Sequence, residues 1–145
     1  MSDWADDDLE GEGIDAQTVE VDDGTDGGAP ALYYGSVDEF LREYLRHVYR
    51  RRIDGRNRVW AARWWEHDEA VIRLEALWRA WEHLRLDPAT GMSAWWRDHA
   101  DYHMAVLMDE NGPFAAAEVI HTKKGDPLPY EAPPAGLFPD VRGAD

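Results

Sequence analysis

A chain of 145 residues with no cysteine, eight tryptophans and a formal net charge of −15 makes a single domain and excludes disulfides and Cys-based zinc sites. The N-terminal MSDWADDDLE has no basic region leading into an apolar run, and no apolar stretch approaches the ~18 residues of a bilayer span, so secretion and membrane insertion are not expected and a soluble, cytoplasmic protein is. The charge is unevenly spread: residues 1–31 hold eleven acids and no base, residues 32–121 hold twelve arginines against fifteen acids, and residues 122–145 are nearly balanced.

Residues 1–31, with GEG and DGTDGG and no periodicity, lack the apolar surface to offset the entropy of ordering and read as a disordered acidic tail. The plain role for such a tail is solubility; the sharper one is competition for a basic surface elsewhere in the chain. Ser36-Val37-Asp38-Glu39 then has the form of a capping box, followed by Val37, Phe40, Leu41, Tyr44, Leu45, Val48 and Tyr49 at helical spacing. Acids in the first turn and Arg50, Arg51 and Arg52 in the last complement the helix dipole, and Asp54-Gly55 is the expected end.

The next stretch, RRRIDGRNRVWAARWW, is basic and aromatic. Eight arginines against two acids, Glu43 and Asp54, lie between Arg42 and Arg63. Arg50, Arg51, Arg52, Arg56, Arg58 and Arg63 with Trp60, Trp64 and Trp65 suit a single-stranded nucleic-acid backbone with stacked bases, with a protein partner as the second choice. The competing reading makes the arginines a solvated helix end and the tryptophans core. Residues 58–65 are β-prone and follow a turn, which predicts a short strand.

A central helix is expected from Asp68 to Leu86, with Val71, Leu74, Leu77, Trp78, Trp81 and Leu84 on one stripe and Glu69–Arg73 and Glu75–Arg79 paired along its surface. Pro88 halts it, and Ser93 is the expected cap of a short helix, AWWRDHA. His103–Met108 and Phe114–Ile120, flanking Asn111-Gly112, read as a β-hairpin. Five prolines after Thr122 predict a flexible tail over residues 122–145.

Candidate chemistry is sparse. His99 and His103 form His-x-x-x-His with Asp101 between them, the spacing of a helical metal site, but without the Glu of a metalloprotease motif and across an expected helix end. The serines are one in the acidic tail and two in cap positions, and no Gly-rich phosphate loop is present. No catalytic residue and no cofactor is assigned on this pattern.

YYGSVDEFLREYL, the string WWEHDEAVIRLEALWRAWEHLRLDPATGMSAWWRDHADYH and the closing AVLMDENGPF resemble an actinobacterial family, domain of unknown function 4913, over about Leu32 to Ala115. The resemblance implies an accessory protein of a mobile element (a plasmid, integrative element or phage) and carries no catalytic residues. Members often place one Cys after the first Trp and another after Gly-Pro-Phe; Ala61 and Ala117 stand at those places here.

The expected architecture is therefore a small α+β domain, residues 32–121, of two main helices and a short third one packed on a β-hairpin, between disordered tails. The expected function is a non-enzymatic binding module for DNA or a protein of the DNA transfer or maintenance machinery. A protein-only adaptor with an acidic partner, and a histidine-based metal-dependent enzyme using His99, Asp101 and His103, are the alternatives.

Overall fold

The computed structural model describes residues 31–143, which fall in one compact unit from Leu32 onward. The acidic segment read over residues 1–31 lies, but for Ala31, outside the described residues. Among the described residues three helices account for the regular structure and no β-strand occurs, so the expected α+β class is corrected to all-helical.

Helix α1 spans residues 37–48. Ser36 Oγ accepts the Glu39 N–H at 3.1 Å as the capping pattern requires, while Glu39 Oε1 reaches back one residue further than expected, to the Gly35 N–H at 2.8 Å. After the α-turn Val37–Phe40 the helix widens into π geometry at Leu41–Leu45, where the Arg46 N–H bonds to Leu41 O five residues back, and returns to α form at Arg46–Val48. It stops at Tyr49, short of the expected Asp54-Gly55. Tertiary packing overrides local propensity here: Tyr49 turns in to stack on Trp96, and Ile53, 1 % exposed, is drawn into the core by paired bonds with Thr122.

Helix α2, Asp68–Leu84, follows the 3₁₀ turn Trp64–Glu66 and matches the predicted central helix to within two residues. Its buried stripe is Ala70, Leu74, Leu77, Trp78 and Trp81. Asp87 Oδ1 accepts the N–H groups of Ala89 and Thr90, closing the turn at Pro88. Gly91 then opens helix α3, residues 91–108, against the end of α2: a Cβ on Gly91 would lie 1.8 Å from Leu84 O.

Helix α3 begins at Gly91–Ala94, two residues before the expected Ser93 cap, passes through π geometry at Trp95–Ala100 and continues as α-helix over Asp101–Met108. The predicted hairpin therefore does not form. Its first arm is helical because Ala100, Met104, Leu107 and Met108 bury one face at helical spacing, a pattern a six-residue apolar run cannot distinguish from a strand. Its second arm is irregular, with Phe114 buried and most of the residues after it exposed. The short strand expected at residues 58–65 is likewise an irregular approach to the turn at Trp64.

The core is aromatic. Trp81 lies among Tyr34, Phe40 and Tyr44, with ring centroids 5.3, 5.6 and 5.0 Å away, and Trp95 Nε1 donates to Leu77 O at 3.0 Å to tie α3 to α2. Each such ring removes on the order of 200 Å² from water, which lets three helices suffice.

The Pro-rich segment from Thr122, expected to be a flexible tail, is instead laid against this body. Leu128 is fully buried; its N–H donates to Arg46 O and its carbonyl accepts from Arg46 Nε at 2.9 Å. The Tyr130 hydroxyl donates to Asp38, Phe138 stacks on Trp64 at 5.1 Å, and the Val141 N–H donates to Gly35 O. Prolines suit this path because an extended segment held through carbonyls and a few side chains needs few backbone donors.

Candidate functional site

The basic residues converge on the loop between Tyr49 and Trp64. Asp54 builds its tip: Oδ1 accepts the N–H groups of Arg56, Asn57 and Arg58, and Gly55, at φ 75°, lets its own N–H turn back to Arg58 O. Those backbone donors hold the Asp54 carboxyl far below the usual carboxylate range.

Around this tip, Arg50, Arg51, Arg52, Arg56 and Arg58 form no ion pair with any carboxylate among the described residues. Arg50 bonds only carbonyls, those of His47 and Gly125, at 2.8 Å each. Arg51 bonds Arg50 O and lies over the Tyr49 ring at 4.1 Å. Arg52, Arg56 and Arg58 are exposed. Arg63 differs from the rest: it is neutralised by Glu66 at 3.4 Å and Glu131 at 3.1 Å and rests over Trp65.

The aromatic half of the expected surface is not present. Trp60 and Trp64 are 1 % and 0 % exposed, the first donating through Nε1 to Pro129 O and the second covered by Phe138, so neither can stack on a base. Trp65 is half-buried and its Nε1 donates to Glu131 O at 3.1 Å. The C-terminal segment occupies the face that these three rings were expected to offer. What the loop presents is charge.

His99 and His103 sit on one continuous helix, as the metal reading required, yet their neighbours are committed. A guanidinium can only donate, so His103 Nδ1, 3.0 Å from Arg73 Nη1, accepts from that cation. Burial first, then Arg73 and His99, push the His103 pKa down. Asp101 accepts the Tyr49 hydroxyl at 3.1 Å. Among the described residues no group of three or more His, Asp or Glu side chains is placed to hold a metal ion. Ala61 and Ala117, at the two cysteine places of the family resemblance, line the same cavity of about 240 Å³ beside His67; their methyl groups offer no donor, so the thiol-based site that those places suggest does not fit this chain.

Two features escaped the sequence reading. Glu82, 5 % exposed, accepts from the Tyr33 and Tyr34 N–H groups, Trp78 Nε1 and Arg85 Nε, and so holds the chain before α1 onto α2. The signal was present in the positions of Trp78 and Arg85, four before and three after a Glu on the edge of the apolar stripe. The other is Leu128, an apolar residue between two prolines, where composition alone argued for a loose tail.

No curated protein and no solved structure matches the chain. The family described as "Domain of unknown function (DUF4913)" matches residues 34–134, which takes in all three helices, the arginine loop and, beyond Ala115, the buried Leu128. The chain belongs to that family.

Proposed function

We propose that the chain is a non-enzymatic binding module, an accessory protein of an actinobacterial mobile element, that engages the phosphate backbone of DNA through Arg50, Arg51, Arg52, Arg56 and Arg58. The observation that carries this reading is the set of five guanidinium groups within nine residues, none of them ion-paired to a carboxylate among the described residues. Each phosphate contact releases counterions, so five contacts on duplex DNA correspond to a slope of about −4.5 in log K against log salt. The eleven acids of residues 1–31 supply a competing polyanion in the same chain.

The test is fluorescence anisotropy with duplex DNA at several salt concentrations, on the full chain, on a chain beginning at Ala29, and on the Arg52, Arg56, Arg58→Ala variant. These three side chains are exposed, so the variant keeps its fold. Salt-sensitive binding that tightens without the acidic segment and loses slope in the variant is the expected result. Unchanged binding by the variant refutes the arginine loop as the contact.

An acidic protein partner is the second reading. The burial of Trp60 and Trp64 favours it, because a surface of arginines without stacking rings recognises negative charge without reading bases. Absence of DNA binding at low salt, with capture of a partner that the triple variant loses, selects this reading.

A further inference from the structure

A cleft of about 480 Å³, within the size range of small-ligand sites, opens between the arginine loop and the end of α3. One wall carries Arg51, Asn57 and Arg58; the exposed Ala105 is the apolar floor, set over the buried Met104 and Met108; Asp109 and Glu110 follow on the helix side. We propose that this cleft takes one unpaired nucleotide of a single strand, its phosphate at Arg51 and Arg58 and an amino-bearing base over Ala105 against Asp109 and Glu110, an inference that rests on the nucleic-acid reading above and specifies its ligand.

The walls are fixed before any ligand arrives. Asp54 holds the loop through three backbone N–H groups, the Val59 N–H donates to Met108 O at 2.9 Å across the base of the cleft, and Tyr49 is stacked between Trp96 and the Arg51 guanidinium. Neither Arg51 nor Arg58 is neutralised by Asp109 or Glu110, although all four line one cleft. The cleft thus has a cationic side and an anionic side separated by an apolar floor. A phosphate is attracted to the first and repelled by the second, which sets the direction of the nucleotide. The small side chain of the exposed Ala105 leaves room above it for the face of a planar ring. Carboxylates accept from an exocyclic amine, the donor that cytosine has at position 4 and thymine lacks. A base stacked within duplex DNA has no free face to lay on the cleft floor, so the ligand is unpaired.

The experiment is anisotropy with oligo-dC, oligo-dT and a duplex of equal charge, on the full chain and on its Glu110→Gln, Asp109→Asn and Arg58→Ala variants. Oligo-dC is expected to bind about tenfold more tightly than oligo-dT, about 1.4 kcal/mol of discrimination. The carboxylate variants bring that ratio toward one, and Arg58→Ala weakens both strands alike. Equal binding of the two strands, or a duplex bound as tightly as oligo-dC, overturns the nucleotide cleft and leaves the backbone-binding reading standing. Failure of every nucleic acid to bind at low salt overturns both.

Discussion

Glu82 Oε2 accepts the backbone N–H of Tyr34 at 2.9 Å, joining α2 to a loop 48 residues earlier in the chain. The same carboxylate takes the Tyr33 N–H, Trp78 Nε1 and Arg85 Nε. Burial pushes its pKa up, but the four donors outweigh that and hold it below its ordinary 4.5. A carboxyl with a depressed folded pKa stabilises fully above the unfolded value and loses that contribution as pH falls through the folded one. Glu82→Gln replaces an acceptor with a donor facing N–H groups and is expected to cost about 2–3 kcal/mol at pH 7. Urea denaturation at neutral pH and below pH 4.5 should show the gap between wild type and variant closing on the acid side; a constant gap would show that the charge is not what matters.

The bond from Arg73 to His103 Nδ1 predicts a second, separate pH dependence. With its folded pKa lowered below 6.5, His103 takes up a proton less readily in the native protein than in the unfolded chain. Stability from this group is therefore complete above pH 6.5 and declines as pH falls below it. His103→Asn retains an acceptor for Arg73 without titrating. Thermal melts across pH 7 to 5 should be flatter for the variant, and parallel curves would assign the acid sensitivity elsewhere.

Gly91 is where α3 meets the end of α2. Any Cβ there would press into Leu84 O, a backbone atom that cannot rotate away. Gly91→Ala should therefore destabilise the fold by about 1–3 kcal/mol or more, although alanine is the better helix former. An unchanged or raised Tm in this variant would mean that the two helices part freely.

Leu128 and Leu137 lie in one Pro-rich segment but differ in burial, 0 % against 49 % exposed. Leu128→Ala is expected to cost about 2–5 kcal/mol, whereas Leu137→Ala should stay within about 0.5 kcal/mol. Equal and small effects, read by chemical denaturation, would return the segment to the status of a loose tail.

What the sequence disclosed was local. The Ser36 cap, the stripe of α2 and the stop at Pro88 are each specified by neighbours a few residues apart, and they stand where the spacing put them. What it concealed depended on distant partners. The run from His103 to Met108 became helix because α2 offers a surface for Ala100, Met104 and Leu107. Trp60 and Trp64 passed from display to core because Pro129 and Phe138 cover them. Prolines spaced through residues 127–139 announced an absence of regular structure, and that was correct; they carried no information about docking. The arginine loop was legible as charge, whereas the carboxylates and methionines that share its cleft come from a helix end that the sequence pattern had assigned to a hairpin.

The segment that covers Trp60 and Trp64 also sets an order of assembly. Leu128 bonds Arg46 from 82 residues away, and Arg142 bonds Tyr33 O from 109. Helical proteins of this size usually fold fast through near-neighbour contacts, but these closures are among the most distant that the described residues make. On a ribosome, α1, α2 and α3 emerge first and wait with two indoles uncovered until residues 128–142 follow. Premature termination or a proteolytic nick near Thr122 would leave a nearly complete bundle with an adhesive aromatic face, so for this protein a truncated product is an aggregation hazard rather than a smaller working domain.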